Sequence, residues 1–469
     1  MSRPPTSFAT LQFLGAAGTV TGSKFLIETA RRQVLLDCGL FHGFKEFRLR
    51  NWRPPGFDPR GLDAVVLSHA HIDHSGYLPL VARQGFRGPV WCTSGTADLL
   101  HILLPDAAFL QEEEAALANR YGYSKHQPAL PLYTIEDAKA ALQLVRRRPY
   151  EKLFKVTEGI AAMFRRAGHI LGASTVELQL GERKPFQLVY SGDLGRWNQP
   201  ILRDPEPVIQ ADLLLIESTY GNKTHAADPL SMLARIVKEA VKRGGVMVVP
   251  AFAVGRTQEL VWMLRELEEA RRIPSLPVYV DSPMAINVAE LYCRHTEDHD
   301  LDMTRLMEAH RSPLCSHSYH LVKTPEESKA LNRIKGPAII ISASGMATGG
   351  RVIHHLKLRL PDPKTTVLLA GFQAAGTRGR ALQDGAKQIR IHGQNVPVRA
   401  TVEVLEGVSG HADRGEILQW LSHFARPPRH TYVVHGEPEA AEGLAEAIRA
   451  RFRWTVHVAR DGEVVPLYH

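Results

Sequence analysis

Thiols and long apolar runs are scarce in this chain. Its 469 residues contain four cysteines, Cys38, Cys92, Cys293 and Cys315, and none of them belongs to a C-x-x-C pair. A disulfide framework is implausible at this density. The sequence therefore predicts a reducing compartment and a cytoplasmic location.

Targeting and membrane signals are also missing. Residues 1–20 hold no continuous apolar stretch of signal-peptide length. Nowhere do about eighteen apolar residues follow one another, so no membrane partner is expected. The chain also lacks an internal repeat, a P-loop, an H-E-x-x-H helix and a G-x-S-x-G elbow.

The composition is that of an ordinary globular protein, with 44% hydrophobic and 23% charged residues. The length predicts two or three domains. The 57 Lys and Arg residues outnumber the 49 Asp and Glu residues, which gives a formal net charge of +8. A positive balance favours polyanionic partners, although by itself it is a weak indication.

Short apolar runs of strand type repeatedly end in a residue that can bind a metal or carry a proton. The runs are QVLLD ending at Asp37, AVVLSH at His69, MFRRAGH at His169, FQLVYSGD at Asp193, DLLLIE at Glu217, TYVVH at His435, and VEVLEGVSGH, which reaches His411 a few residues later. Helical patterns intervene, which predicts an α/β architecture. Because ligands gather beyond the carboxyl ends of strands in such folds, we expect these residues to converge on one edge.

The densest group of such residues is HAHIDH, which contains His69, His71, Asp73 and His74. Imidazole suits zinc, and a carboxylate binds the same ion or orients a water. In an extended loop, His69 and His71 fall on one side while Asp73 and His74 turn elsewhere, so two metals can be served. The alternative is a polar loop whose histidines only form hydrogen bonds. The distant His and Asp residues at matching strand ends disfavour that alternative.

A second α/β pattern, without a metal-type cluster, spans residues 223–385. Because His411 and His435 resume the earlier pattern, the simplest organisation is one domain interrupted by another. We therefore predict a metal-bearing domain made of residues 1–222 and 386–469, with an inserted domain at 223–385. The run Arg146–Arg148 is interpreted as a solvated helix end.

Two glycine-bearing turns of the inserted domain are candidates for binding substrate phosphates through backbone N–H groups at helix starts. They contain Ser344, Gly345 and Met346 in one turn, and Gly376, Thr377 and Arg378 in the other. Ordinary strand-to-helix turns remain the alternative for both.

The motifs together resemble those of a known family. HAHIDH matches the H-x-H-x-D-H motif of the metallo-β-lactamase fold, and LLDCG, AGHILGAS and SGDLG are similar to its first, third and fourth motifs. ESTYG, GHAD and VHGE resemble motifs A, B and C of the β-CASP branch of nucleic-acid hydrolases. The likeness covers nearly the whole chain. It is greatest to the ribonuclease group that includes the pre-mRNA 3′-end-processing endonuclease and its prokaryotic relatives.

This resemblance implies a metallo-β-lactamase αββα sandwich with an inserted α/β β-CASP domain and two zinc ions per chain. The implied ligands are His69, His71 and His169 for one zinc, Asp73, His74 and His435 for the second, and Asp193 as a bridge. The two ions would share a hydroxide nucleophile and stabilise the entering and leaving oxygens. Asp37 would hold a ligand histidine or the bridging water in place. Members of the family often dimerise, so a homodimer is one expected assembly.

The resemblance also implies that His411 protonates the departing 3′ oxygen and that Glu217 binds its far ring nitrogen. Asp73 and Asp37 complete the implied catalytic set. The alternative for His411 is a capping role before the helix ADRGEILQWL, although Asp413 could cap that helix instead. The implied products carry a 5′ phosphate and a 3′ hydroxyl.

The sequence thus predicts a zinc-dependent ribonuclease that hydrolyses single-stranded RNA in a basic cleft between two domains. Cutting would be internal or stepwise from a 5′ end. DNA processing is a second hypothesis, which His435 in VVHGE disfavours because DNA-acting members of the family look as if they lack that histidine. Small-molecule hydrolysis is opposed by the inserted domain and motifs A to C. A non-catalytic RNA-binding subunit is opposed by the complete ligand set.

Overall fold

The computed structural model describes residues 8–122, 124–182, 184–225, 228–309, 314 and 319–467, so Cys315 lies outside the described residues. The chain divides into two compact units. The first unit comprises Met1–Asn198, Asp204–Thr224 and His411–His469, and the second comprises Gln199–Arg203 and His225–Gly410. No helix in the described ranges is long and apolar enough to cross a membrane.

The chain up to residue 224 supplies most elements of the first unit. Its strands are β1 (Ala9–Phe13), β2 (Phe25–Thr29), β3 (Gln33–Leu36), β4 (Ala64–Val66), β5 (Val90–Cys92), β6 (Val145–Arg147), β7 (Phe154–Thr157), β8 (Ile160–Arg166), β9 (Ser174–Leu180), β10 (Phe186–Tyr190) and β11 (Leu213–Glu217). Its helices are α1 (Lys45–Arg50), α2 (Ile72–Ser75), α3 (Leu78–Arg83), α4 (Ser94–Tyr121) and α5 (Ile135–Leu142).

Residues 225–410 form most of the second unit. Its strands are β12 (Val246–Pro250), β13 (Val278–Asp281), β14 (Tyr319–Leu321), β15 (Ala338–Ser342), β16 (Thr366–Ala370), β17 (Gln388–Ile391), β18 (Gln394–Pro397) and β19 (Thr401–Leu405). Its helices are α6 (Pro229–Arg243), α7 (Arg256–Glu269), α8 (Pro283–Arg294), α9 (Leu301–Glu308), α10 (Pro325–Ala330), α11 (Val352–Arg359) and α12 (Arg378–Gln383).

The chain then returns to the first unit. The remaining elements are α13 (Arg414–Leu421), β20 (His430–Val434), α14 (Pro438–Phe452), β21 (Val456–Val458) and β22 (Val464–Leu467). The first unit thereby gains two strands of one sheet and one strand of the other. The interrupted organisation expected from the sequence is therefore present.

Two seven-stranded sheets form the first unit, in the orders β22-β1-β2-β3-β4-β5-β6 and β21-β20-β11-β10-β9-β8-β7. In β1 and β8, buried and half-buried residues alternate, which turns one side of each strand inward. Phe13 and Phe25 of the first sheet meet edge to face at 5.8 Å, and Phe25 contacts Tyr190 of the second sheet at 5.1 Å. The sheets therefore share one apolar core.

Helices flank this pair of sheets. α4 contacts β6 and α5, whereas α14 contacts β20 and β21. The predicted αββα sandwich is thus confirmed. The sequence patterns do not predict the 28-residue α4, which begins where the Thr93 hydroxyl accepts a hydrogen bond from Thr96 N.

The second unit is built on the sheet β14-β13-β15-β12-β16-β19, in which every described strand pair is parallel. β12, β15 and β16 are buried along their whole length, because separate apolar clusters pack on the two faces of the sheet. The inserted α/β domain is confirmed.

Two local expectations are wrong. The inserted domain was predicted to end at residue 385, but the second unit continues to Gly410, because β19 pairs with β16 from Thr401 to Leu405. The strand-type run before His411 therefore belongs to the second unit. Arg146 and Arg147 are not a helix end: α5 stops at Leu142, and Val145–Arg147 pairs with β5.

Candidate metal centre

Strand ends bring the predicted residues together within the first unit. Asp37 and His69 follow β3 and β4, which are parallel neighbours in one sheet. Asp193 follows β10, Glu217 ends β11 and His435 follows β20, which are parallel neighbours in the other sheet. Because carboxyl ends of parallel neighbours share an edge, residues far apart in sequence meet at one place.

His169 enters from the loop between β8 and β9, which packs tightly against the start of α4. Gly172 of this loop has φ 76, and a Cβ there would lie 2.1 Å from Thr96 N. The hydroxyls of Thr93 and Thr96 donate to the Gly172 carbonyl at 2.6 and 2.8 Å. Only glycine permits both the backbone conformation and this approach.

Three imidazoles form the first ligand group, which consists of His69, His71 and His169. His71 Nδ1 lies 3.1 Å from His69 Nε2 and 3.2 Å from His169 Nε2. A proton can satisfy only one of these nitrogen–nitrogen contacts at a time. A metal ion accepts a lone pair from all three nitrogens, so the arrangement fits a metal site.

The second ligand group consists of Asp73, His74 and His435. His74 Nε2 lies 3.0 Å from His435 Nε2. Asp73 Oδ2 lies 3.8 Å from His74 Nε2 and 3.5 Å from His435 Nε2. Two imidazoles and a carboxylate are again a typical zinc donor set.

Asp193 faces both ligand groups with different oxygens. Oδ2 lies 3.4 Å from His69 Nε2 and 3.5 Å from His169 Nε2. Oδ1 lies 3.4 Å from His74 Nε2 and 3.5 Å from His435 Nδ1. Oδ1 is buried and has no hydrogen-bond partner among the residues described. A buried carboxylate oxygen in this position is suited to a cation.

Burial lowers the pKa of all three imidazoles in the first ligand group, that of His71 to about 3. Neutral imidazole is the form that binds a metal ion, so at neutral pH these side chains are ready to act as ligands.

The second ligand group lies in a field of carboxylates. Burial alone lowers the pKa of His74, but Asp193, Asp73 and Asp37 outweigh it and raise that pKa well above the usual value. This negative field attracts a cation, either the proton on His74 or a metal ion that replaces it.

Asp37 fixes the orientation of His74. Its Oδ2 accepts a hydrogen bond from His74 Nδ1 at 2.7 Å, which leaves Nε2 directed at His435. Asp37 also accepts from Ser68 N at 2.7 Å, Ser68 Oγ at 2.8 Å and Tyr190 Oη at 2.9 Å. The sequence patterns do not predict roles for Ser68 and Tyr190, whose only signal is that they lie one position before His69 and three positions before Asp193.

His411 stands at the border of the two groups. Its Nδ1 donates to Glu217 Oε1 at 3.1 Å, and Glu217 Oε1 also accepts from Leu194 N at 2.7 Å. Burial opposes protonation of His411, but the charges of Glu217 and Asp193 prevail and raise its pKa to about 9. The helix that follows is capped by Asp413, which forms a reciprocal capping box with Glu416. His411 is therefore not the helix cap.

In the second unit, the two glycine-bearing turns meet each other. Gln373 Nε2 donates to Gly345 O at 3.2 Å, and Gly379 N donates to Met346 O at 3.0 Å. The turn with Ser344 does not open a helix, since α11 begins only at Val352. The expectation of a helix start at Ser344, Gly345 and Met346 is therefore wrong.

In the other turn, the side chains of Thr377 and Arg378 form hydrogen bonds to backbone groups of the second unit. Thr377 caps α12 by accepting from Arg380 N, and it donates to Ala374 O at 2.7 Å. The Arg378 guanidinium donates to the carbonyls of Ala347, Thr348 and Arg390 at 3.4, 3.0 and 2.8 Å. A substrate contact at Gly376, Thr377 and Arg378, or at the first turn, stays a prediction.

Three known domain families match this chain. The beta-lactamase superfamily domain matches residues 32–243, and the Beta-Casp domain matches residues 257–382. The Zn-dependent metallo-hydrolase RNA specificity domain matches residues 395–459. A crystal structure of a protein of unknown function from Enterococcus faecalis shares the fold, with a TM-score of 0.54 and 15% identity over 98% of this chain and 100% of that chain.

Several curated proteins are similar along nearly the whole chain. Ribonuclease TTHA0252 from Thermus thermophilus is 38% identical, over 97% of this chain and 99% of the relative. The transcription termination factor FttA from Methanosarcina mazei is 30% identical, over 97% of this chain and 71% of the relative. An RNase J-like protein from Methanocaldococcus jannaschii is 29% identical, over 97% and 99%. The chain therefore belongs to the β-CASP branch of the metallo-β-lactamase family of hydrolases.

Proposed function

We propose that this protein is a zinc-dependent ribonuclease that hydrolyses phosphodiester bonds of single-stranded RNA. The observation that carries the proposal is the Asp193 carboxylate, whose two oxygens face two separate groups of metal-binding side chains. The match of residues 395–459 to an RNA specificity domain and the similarity to a named ribonuclease support RNA as the substrate.

Each ligand group would hold one zinc ion, with Asp193 shared between them. Zinc ions at such a site supply Lewis acidity toward the phosphodiester and activate water near neutral pH. Asp37 keeps the Nδ1 proton on His74, so Nε2 would be free to bind a metal ion. Asp73 adds a negative charge beside His435 and His74.

His411 would act as the general acid. Its Nδ1 proton is held by Glu217, so Nε2 is the nitrogen that delivers a proton to the departing 3′ oxygen. Glu217 itself is fixed by Leu194 N and Thr219 N. Cleavage by this route leaves a 5′ phosphate and a 3′ hydroxyl, and 2′,3′-cyclic phosphate products would contradict it.

We propose that the protein cuts RNA internally, with stepwise digestion from a 5′ end as a second mode. A time course on RNA labelled at either end, with 5′-triphosphate and 5′-monophosphate forms compared, separates the two modes. DNA of the same sequence is the control for substrate class. Cleavage of DNA but not RNA would reject the ribonuclease assignment.

Metal analysis of protein purified without chelator tests the site itself. We expect close to two zinc ions per chain, and a zinc-free, fully active protein would reject the metal centre. Asp73→Ala and His435→Ala are expected to abolish RNA cleavage while circular dichroism still shows a folded chain. A homodimer and a cytoplasmic location belong to the same proposal, and sedimentation and cell fractionation test them.

A further inference from the structure

A segment rich in aromatic and basic side chains follows directly in the chain after residues that are bonded to the loop of Asp73 and His74. It covers residues 41–53 and is called the aromatic segment below. The residues just before the segment are bonded to the loop that carries Asp73 and His74: Cys38 N donates to His74 O at 2.7 Å, and Leu40 N donates to Ile72 O at 3.0 Å. The segment therefore starts next to Asp73 and His74, although none of its own residues has been given a role.

Hydrogen bonds join the two ends of the aromatic segment to each other. The buried Asn51 amide donates to Phe41 O at 2.8 Å and accepts from Phe41 N at 2.9 Å. The Arg50 guanidinium lies 4.0 Å from the centre of the Phe41 ring and pairs with Asp461 at 2.6 Å. A segment closed at both ends in this way presents its remaining side chains in a fixed place.

Hydrophobic burial does not account for the aromatic residues of the segment. α1 buries none of its residues. Phe44 is 46% exposed and Trp52 is 58% exposed. Phe44 also contacts Phe47 at 6.1 Å between ring centres, which supports its ring from one side. Large exposed aromatic faces on a segment that follows residues bonded to the loop of Asp73 and His74 point to a ligand with flat rings.

The charge of the segment is complementary to phosphate. Lys45, Arg48 and Arg53 are exposed, and the described residues offer none of them an ion-pair partner. Glu46 is the single acidic residue between positions 41 and 53. Cations interleaved with aromatic side chains suit single-stranded nucleic acid, whose bases stack while its phosphates need positive charge.

We propose that the aromatic segment is a base-stacking site for single-stranded RNA, with Phe44 and Trp52 stacking on bases beside the bond that is cut. Lys45, Arg48 and Arg53 contact the flanking phosphates. The site rests on the ribonuclease function proposed above. Because every base has a flat face, it binds RNA without strong sequence preference.

Steady-state kinetics of the zinc-loaded protein test the site. The double variant Phe44→Ala/Trp52→Ala is expected to raise KM for a uridine-rich RNA about ten-fold or more. The single variant Trp52→Phe keeps a flat ring, so its KM is expected to stay within about two-fold of the wild-type value. Phe109→Ala is the matched control, because Phe109 is also 46% exposed but lies on α4. Its KM should equal that of wild type.

Competitive inhibition by an oligonucleotide without bases separates stacking from charge. Arg48→Glu is expected to weaken this inhibitor, whereas the double aromatic variant should bind it as wild type does. An unchanged KM for RNA in the double aromatic variant would overturn the stacking site. It would also be overturned if that variant lost affinity for the base-free inhibitor by the same factor as for RNA. A change in self-association with unchanged KM would mark a protein interface and overturn it too. If the wild type cleaves no RNA at all, the proposed function fails instead.

Discussion

Asp193 and Lys24 are both buried charged side chains of the first unit, but their surroundings differ. Asp193 is ringed by imidazoles from both ligand groups, which lower its pKa well below the usual range despite its burial. Lys24 is 3% exposed, donates to Gly39 O at 2.7 Å and lies over the rings of Phe41 and Tyr77. No carboxylate bonds to it in the described part of the chain, so its charge is poorly compensated.

The free energy of unfolding should depend on pH through Lys24. Burial lowers its pKa to about 7 from 10.5 in an unfolded chain. Between these values the unfolded chain binds a proton that the native protein does not, so stability falls as pH falls from about 10.5 to about 7 and then levels off. The full effect is on the order of 5 kcal/mol.

Lys24→Met is expected to remove most of this dependence, as measured by urea denaturation at several pH values in that range. Lys152→Met, at an exposed lysine, should leave the wild-type dependence unchanged. The same slope in Lys24→Met and wild type would contradict the assignment.

His411 belongs to neither ligand group, and its Nδ1 is bound to Glu217. His411→Ala is therefore expected to slow RNA cleavage about 100- to 10,000-fold while the zinc content stays that of wild type. His169→Ala should lose zinc as well as activity. Loss of zinc in His411→Ala would show that His411 is a ligand instead. Metal analysis and initial rates on the same preparations provide both measurements.

Among the elements, loops at strand ends carry the chemistry and also the backbone strain. Asp37 and His435 have φ 56 and φ 50, in the left-handed region that few such residues adopt. Each directly follows a strand, β3 or β20. The surrounding hydrogen bonds hold both residues in these conformations, as is common where side chains must point into a site. The glycines of the same loops allow neighbouring segments to approach closely.

Gly172→Ala is expected to destabilise the fold because its Cβ would lie 2.1 Å from Thr96 N. Gly159→Ala is a matched control, since Gly159 has a similar φ of +72 but nothing within 4 Å of an added Cβ. The difference between the two variants isolates the close approach, and we expect it to exceed about 2 kcal/mol in the free energy of unfolding. Equal losses in chemical denaturation would contradict this account of the His169 loop.

For the molecule as a whole, removal of the proposed zinc ions should reduce stability. Both ligand groups join segments that are distant in the chain, such as His74 and His435, and an ion bound only by the native state adds to the free energy of unfolding. Dialysis against a chelator is expected to lower the midpoint of thermal unfolding, by the equivalent of at least about 3 kcal/mol, and added zinc should restore it.

Magnesium added to the stripped protein serves as the control, because imidazole-rich sites favour zinc over magnesium. A thermal midpoint that does not respond to the chelator would mean that the two ligand groups do not bind a metal ion that stabilises the fold.

Much of this protein follows from local patterns in its sequence. Apolar runs that end in His, Asp or Glu predict the strands and the residues at their tips, because both depend on a few adjacent positions. The α/β class follows from alternating strand and helix patterns, and Asp413 is recognisable as a helix cap from its neighbours.

Other features depend on contacts between distant segments and could not be predicted. The pairing of β19 with β16 decides where the second unit ends, and the pairing of Val145–Arg147 with β5 turns an apparent helix end into a strand. The burial of Lys24 is set by the rings of Phe41 and Tyr77. The opposed oxygens of Asp193 arise because two sheets bring ligand loops to the same edge. Such placements depend on packing across the whole unit, which no short stretch of residues encodes.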